Sequence, residues 1–521
     1  MTLTTRRERV GFFIALIQMV STIIFLFALR RLGFIPFNYI VIIGIIPIIF
    51  ALISLLLYTT PRDKELSNAL DVAVKVLSVL LAIVLSVGTL YAFMLNDALD
   101  APVRPDRIVI TDNIVVLVRK DDPAQVLEDV KGYTFGVVTE SADLEKSLEH
   151  ISEQLDGNFI PVYFDIVVDA AYALIHGEVD AMLYNGAVLD TLEETFDEFF
   201  YLIRELYDFE VEIIIYIPPP SYTPPGEENP GSPPPPTPIT IAPFTLLISG
   251  IDSDGGLNAT ARSDTNLLLT INPQTGQVLM VTTPRDSWVE FPAVGDFRGR
   301  HRDKLAHAGA LRSTSGSTRG IDISMATMGQ IYGIEIDHYI RLTMGTFVRI
   351  VDALGGVEVY SERAFTALDV TPVVRGMNRF NGTQALHFVR HRSGFPDGDF
   401  QRARNNMALV EGVMRQIIDP SFLMNPVAIN NVINILPTAI ETSFSRDDIN
   451  FLMNHQLSNR TSWNLQSVQA GGTSGREPVS PNNPNITTWV FHLDPNSING
   501  IRSQIQTVMN GGILTGGSIV E

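Results

Sequence analysis

At 521 residues the chain has room for about three domains. Its 37 Lys and Arg against 57 Asp and Glu give a net charge of −20, which argues against a general nucleic-acid binder, since that needs a basic face. A charged content of 18% with a mean hydropathy of +0.19 excludes wholesale disorder and points to membrane segments. Cysteine is absent, which rules out disulfide frameworks, cysteine nucleophiles and thiolate metal sites.

Residues 1–98 read as a membrane anchor. Three uncharged apolar runs, Val10–Leu29, Leu32–Thr60 and Val76–Met94, are each long enough to cross a hydrocarbon core of about 30 Å as a helix. A signal peptide would supply one such run, and the second here is far too long for its apolar region. Pro36 and Pro47 can be tolerated in or beside the second span. Arg6, Arg7 and Arg9 precede the first run and Arg62, Lys64 and Lys75 separate the second from the third, while Arg30 and Arg31 lie on the opposite side. This asymmetry predicts a multi-pass protein of the cell membrane, with a cytoplasmic N-terminus and everything after about residue 95 outside.

Residues 99–217 read as an α/β lobe. Asn113–Val118, Tyr133–Val138 and Val179–Leu183 have the character of buried strands. Leu144, Leu148, Ile151 and Leu155 recur at helical spacing, so Ala142–Leu155 reads as an amphipathic helix, and Ala170–His176 as another, closed by Gly177. Val116-Leu-Val-Arg-Lys-Asp121, Val130–Val138 and Ala173–Met182 resemble one lobe of the two-lobed extracellular solute-binding proteins. A single lobe lacks their cleft, which favours a spacer or interaction module over a ligand sensor. Residues 95–228 hold 29 acidic against 7 basic side chains, so nearly all the net charge sits here. Such an excess is usually a solvated surface, and it disfavours binding of anionic wall polymers.

Pro218–Pro238 is a proline-rich linker. It cannot pack a core and favours polyproline II, which would span up to roughly 60 Å if fully extended.

Residues 239–511 carry the chemistry. Phe244–Ser249 is an apolar strand running into Asp252; Leu267–Ile271 and Val278–Thr282 form a hairpin about the turn at Asn272-Pro273 and Thr275-Gly276, leading to Pro284-Arg-Asp286. Asp252 and Asp264 flank the ends of neighbouring strands and could share one hard cation while leaving places for a phosphate; the alternative is a turn residue beside a solvated one. Arg262, Arg285, Arg298, Arg300, Arg302 and Lys304 cluster in sequence, followed by Arg390-His-Arg392, Arg402 and Arg404. Arg390 and Arg392 alternate, so on a strand they would share a side and present paired guanidinium forks to phosphate.

These residues carry a second resemblance. Leu246–Asp252, Arg262-Ser-Asp-Thr265, Thr283-Pro-Arg-Asp286, Lys304–Gly309, Val351–Val357, Asn381–Leu386, Leu386–Arg392 and Asp399-Phe-Gln-Arg402 look like the LytR-CpsA-Psr family over about residues 240–420. The segment through about 511, with Trp463–Ser467 and Val490–Pro495, resembles a family C-terminal extension, and residues 512–521 are left as a flexible tail. The resemblance implies an α/β/α sandwich around a mixed sheet, with a hydrophobic tunnel for a polyprenyl chain. It implies a membrane-anchored extracellular phosphotransferase that moves a glycopolymer (teichoic acid, capsule or another wall polysaccharide) from an undecaprenyl-pyrophosphate carrier to peptidoglycan. On this match Asp252 and Asp264 hold Mg2+ (or Mn2+). Arg285, Arg390, Arg392 and Arg402 cradle the pyrophosphate, supported by Arg262 and Lys304. Asp399 and Arg285 are the catalytic candidates, Asp399 as the base that activates the sugar hydroxyl. Phosphoryl transfer asks mainly for positioning and charge neutralisation, which such a set supplies.

The chain departs from the family where Asn405 and Asn406 replace an Arg-Gln pair, with Arg404 one place early, and where Lys304-Leu-Ala306 replaces Lys-Ile-Asn. Three spans and an acidic lobe are also unusual. His391 reads as spacing rather than a zinc ligand, and Ser253 and Ser263 lack a His-Asp context. Leu409, Val413 and Ile417 follow helical spacing and read as core or tunnel wall. Two further readings stay open: a polyprenyl-pyrophosphate hydrolase, and a non-enzymatic membrane receptor for a lipid or other ligand.

Overall fold

The computed structural model describes residues 6–60, 67–100, 107–139, 143–186, 189–196, 199–216, 239–251, 257, 260–313, 318–395, 398–423, 425–435, 440–480 and 482–515. The linker at 218–238, Asp252 and Ser253 lie outside them, as does the side chain of Asp399.

Helices α1 (Arg6–Arg31), α2 (Phe37–Thr59) and α3 (Asn68–Asp100) are each long and apolar enough to cross a membrane. The second starts at Phe37, later than its apolar run suggests. Gly33 takes φ +83°, a conformation that glycine adopts without strain, and Pro36 caps α2, so Leu32–Ile35 is a turn. At one end of the bundle Asp71 accepts from Arg7 at 2.6 Å and Lys75 at 2.8 Å. At the other end Leu29, Leu32, Phe34, Ile40 and Leu95 pack in one cluster with Leu423, Ile429, Ile433 and Leu457 of the C-terminal unit.

The lobe contains β1 (Arg107–Arg119), β2 (Thr134–Val138), α4 (Leu144–Gln154), β3 (Ile160–Phe164), α5 (Val167–Ile175), β4 (Ala181–Asn185), α6 (Leu189–Thr195), α7 (Phe199–Leu202) and β5 (Ile203–Tyr216). They build a mixed sheet in the order β3-β2-β4-β1-β5. The first strand is 13 residues long, because the 14-residue β5 pairs along it in antiparallel fashion. In β5 buried Phe209 and Val211 alternate with exposed Asp208, Glu210 and Glu212, the period of a half-buried strand. Helix α4 covers one face; α5, α6 and α7 cover the other.

The C-terminal unit continues with β6 (Phe244–Ile251), β7 (Ser263–Asn272), β8 (Gln277–Thr283), β9 (Trp288–Phe291), β10 (Arg300–Lys304), α8 (Gly320–Tyr332), β11 (His338–Thr343) and α9 (Met344–Ala353). Then follow β12 (Val357–Ser361), β13 (Phe365–Ala367), β14 (Thr371–Val373), β15 (Gly376–Phe380), α10 (Gly382–Arg390), α11 (Gly398–Ile418), α12 (Pro420–Leu423) and α13 (Pro426–Ile433). The last elements are β16 (Ile440–Thr442), α14 (Arg446–Asn459), β17 (Asn464–Gln469), β18 (Gly472–Pro478), β19 (Thr487–Leu493) and α15 (Pro495–Met509). Six strands form a mixed sheet in the order β16-β11-β6-β7-β8-β17. Leu247, Leu268, Leu279 and Val281 pack against α8 and α15 on one face. Leu246, Leu267, Leu269, Val278 and Met280 pack against Met407, Val410 and Met414 of α11 and Ile449 and Leu452 of α14 on the other. The unit is therefore an α/β/α sandwich. Burial on both faces is why β6, β7 and β8 read as continuous apolar runs.

Two expectations need correction. Phe388–Arg392 is not a strand. Asn381 accepts from the Gln384 amide at 2.9 Å while Gln384 accepts from the Asn381 amide at 3.0 Å, a reciprocal cap that starts helix α10. Ala385, Phe388 and Val389 then face the core, and the helix ends at Arg390 with His391 extended. The tail is also partly anchored: Leu514 is buried, and its amide donates to Gln277 at 3.2 Å. Leu409 and Val413 pack in the core beside Val359 and Phe388, whereas Ile417 is exposed.

Candidate active site

The site lies where β6 and β8 end and β7 begins. Gly250 pairs with Thr265 and Ile251 with Ser263, so Asp264 is the extra residue of a β-bulge. A bulge re-aims the side chain it carries. Here the Asp264 carboxylate meets Arg285, whose Nη1 lies 3.0 and 3.1 Å from its two oxygens.

Arg285 follows β8 in a turn that is pinned from three sides. The Leu305 amide donates to Ser287 O and the Ala306 amide to Arg285 O, each at 2.9 Å, and the Phe491 amide donates to Asp286 O at 2.8 Å. Burial by itself would lower the Arg285 pKa, but Asp264, Asp286 and Glu194 raise it above the ordinary range. The guanidinium is thus permanently charged and positioned before any ligand arrives. Lys304, at the end of β10, is buried; its ammonium lies 3.6 Å from Asp286 and 2.8 Å from Glu194. Arg262 lies 3.2 Å from Glu194.

A cavity of about 150 Å3 opens beside this cluster. Asp264, Thr265, Arg285 and Asp286 line one side, Phe400, Arg402 and Asn406 of α11 another, and Trp489, Val490 and Phe491 of β19 a third. Asn406 donates to the Thr265 hydroxyl at 3.5 Å, and Phe400 meets Phe491 edge-on at 5.3 Å. The amide at Asn406 therefore reaches the site although the family's Arg-Gln pair is missing.

The structure brings together Arg262, Asp264, Arg285 and Lys304, with Arg402 on the cavity wall. Arg390 and Arg392 are exposed beyond it, at the end of α10 and after the cap residue His391. Asp252 follows Ile251 in the chain, outside the described residues, and Asp399 is placed in α11 by its backbone alone. Among the described residues no group of three or more His, Cys, Asp or Glu is arranged to hold a metal. Sequence reasoning missed Glu194, Asp286 and the β19 wall. Glu194 belongs to the lobe, 68 positions before Arg262, and no local pattern connects the two.

Comparison with known proteins covers this unit. The LytR_cpsA_psr family model matches residues 237–506. The chain is 28% identical over 261 residues to a polyisoprenyl-teichoic acid–peptidoglycan teichoic acid transferase TagU of Oceanobacillus iheyensis, covering 50% of this chain and 74% of that protein. It is 30% identical over 208 residues to the TagU of Enterococcus faecalis, covering 40% and 63%. With the Enterococcus and Bacillus cereus relatives the match thus spans less than two thirds of their length. Among solved structures, B. subtilis TagV aligns at 21% identity and a TM-score of 0.41 over 52% of this chain and 99% of that one. TagT bound to LI-WTA aligns at 21% and 0.39 over 52% and 91%. The family match begins after the acidic lobe, and its likeness to solute-binding lobes rests on sequence motifs alone.

Proposed function

The chain belongs to the LytR_cpsA_psr family, and from that premise we propose that it is a membrane-anchored phosphotransferase. It takes a glycopolymer from a polyprenyl-pyrophosphate carrier and joins it to peptidoglycan through a phosphodiester. The observation that carries this reading is the convergence of Arg262, Arg285 and Lys304 within 3.5 Å of one carboxylate, beside a cavity walled by Arg402. Cations fixed in advance, in a partly dehydrated site, stabilise charge developing on a transferring phosphoryl group.

Arg285 is the central fork, held by Asp264. Lys304 acts as a point charge on the adjoining phosphate. Arg402 and Asn406 close the cavity from α11. The Asp264 oxygens keep lone pairs beyond their contact with Arg285, so the donor chemistry fits a hard cation. Asp264 with Asp252 would hold Mg2+ or Mn2+, which would neutralise phosphate charge. Asp399 is the proposed base for the acceptor hydroxyl.

The cation asymmetry around α1–α3 supports a cytoplasmic N-terminus, with the lobe and the sandwich outside. Packing of the bundle's far end against Leu423, Ile429, Ile433 and Leu457 then keeps the site near the membrane surface, where a lipid carrier resides. The names of the relatives favour teichoic acid as the polymer; a capsular polysaccharide fits the same chemistry. The test is incubation of the detergent-purified full chain with lipid-linked teichoic acid and peptidoglycan. Polymer bound covalently to peptidoglycan is expected. Release of phosphorylated polymer to water at an unchanged rate, with or without acceptor, would assign a hydrolase; intact lipid-linked polymer would leave only a receptor.

A further inference from the structure

Glu194 reaches the cation cluster from a different unit. It sits near the end of α6, and its carboxylate meets Lys304 Nζ at 2.8 Å, Arg262 Nη1 at 3.2 Å and Arg285 Nη2 at 3.5 Å. Its side chain keeps 31% of its accessibility, so solvent still touches it. These three cations are ones that the family resemblance assigns to the pyrophosphate. Two anionic carboxylate oxygens among cationic N–H donors present the same acceptor chemistry that phosphate oxygens would offer them.

The contact is one of several that seat the lobe. Buried Asp112 of β1 accepts from Arg312 at 2.7 Å and from the Thr260 amide at 3.3 Å. Asp169 of α5 accepts from the Ser480 hydroxyl at 2.5 Å and from Asn482 at 2.6 Å. Val479 and Ile486, between β18 and β19, pack into the apolar cluster of the lobe with Val168 and Leu192. The same hairpin lines the cavity through Ser474 and Trp489. Lobe, hairpin and site are therefore mechanically joined.

Resting on the phosphotransferase reading, we propose that the acidic lobe is an internal gate. In the docked arrangement Glu194 occupies a phosphate position, and α6 lifts away before a pyrophosphate engages Arg262, Arg285 and Lys304. A carboxylate left among those cations would repel the incoming anion at contact distance, so the two states exclude each other. Burial would raise the Glu194 pKa, but Lys304 and then Arg262 and Arg285 hold it at about 2. The carboxylate is thus ionised at neutral pH and yields to a competing anion rather than to a proton.

The test titrates inorganic pyrophosphate, with magnesium, into the full chain in detergent by calorimetry. If the open state is populated at about a tenth, removing the competitor tightens apparent binding about tenfold. Glu194→Gln, which keeps the shape and loses the charge, is expected to do so, and Glu194→Asp to fall between it and the parent chain. Hydrogen exchange supplies a second readout: saturating pyrophosphate is expected to deprotect residues 189–195 in the parent chain. Weaker or unchanged affinity in Glu194→Gln would overturn the gate, as would unchanged protection of α6 in the pyrophosphate-bound parent. Arg285→Ala separates the two readings. It is expected to abolish binding in every background; retained binding there would remove the phosphate site itself.

Discussion

Arg285 shows how a single residue acquires a role from its surroundings. Its fork is held against Asp264 at 3.0 Å, and Asp286 and Glu194 complete the ring of carboxylates at 3.7 and 3.5 Å. Lys at this position would keep the charge and lose the planar, multiply donating head. Charge-assisted hydrogen bonds contribute about 1.5–3 kcal/mol each, so those made in the transition state are worth roughly 10- to 150-fold in rate. Arg285→Lys is expected to reduce single-turnover transfer within that range and to leave the melting temperature close to that of the parent. Unchanged turnover would make Arg285 a purely structural counter-ion of Asp264. Glu194 gives a pH dependence that can be signed. Its folded value of about 2 lies below the ordinary 4.5. Its contribution to docking is therefore complete above about pH 4.5 and fades as pH falls toward 2. Among the described residues, the charged groups facing it are Lys304, Arg262 and Arg285, with Asp264 and Asp286 behind Arg285. The chain has no cysteine, so dyes on Glu153→Cys and Gln504→Cys, both exposed positions, can report docking. Energy transfer is expected to stay level from pH 7 to 5 and to drop below 4.5; a drop centred near pH 6 would place control elsewhere.

At the scale of elements, the bulge at Asp264 depends on close packing behind it. A Cβ on Gly309 would lie 2.9 Å from the Ser263 amide nitrogen, and one on Gly320 would lie 2.0 Å from Gly309 O. Two glycines thus let the start of α8 press the segment after β10 onto β7. Overpacking of this kind costs about 1–3 kcal/mol. Gly320→Ala is expected to lower the melting temperature by a few degrees and to impair transfer further, by displacing Asp264; a scan that shows normal activity at lowered stability would uncouple the two. Elements differ in how openly the sequence displays them. Strands β6 to β8 are buried on both faces and announce themselves as apolar runs. Helix α4 shows its period through Leu144, Leu148, Ile151 and Leu155. The stretch from Phe388 to Arg392 misleads, because its alternation of charge is compatible with a strand, while the deciding signal is the cap at Asn381, several residues upstream. Within the site, Arg262, Asp264, Arg285 and Lys304 could be named from motifs. Asp286 stands in plain view within Pro284-Arg-Asp286, but no sequence pattern gives it a partner. Glu194 was hidden within an acidic stretch that resembles any solvated surface, since its meaning arises only when two units meet.

For the whole molecule, the order of units along the chain differs from their arrangement in space. The sequence runs from bundle to lobe to linker to sandwich, and a linker of that composition can extend far. The lobe nevertheless rests directly on the sandwich through Asp112, Asp169 and Glu194. The sandwich in turn returns to the bundle: Arg446 donates to Asn96 at 2.8 Å and Asn454 to Phe34 O at 3.2 Å. The path is a closed circuit, and that closure separates two motions that a simple string of domains would confound. Under the gate proposal, the C-terminal unit can stay seated on the bundle while the lobe undocks from it. Because the lobe belongs to the same chain, it stays at a high effective concentration after displacement. Re-docking is then a first-order event, independent of how much protein a cell contains. On the proposed function, a pyrophosphate-bearing lipid would meet a site that resets itself after each departure of product, at a rate set within one chain rather than by any second molecule.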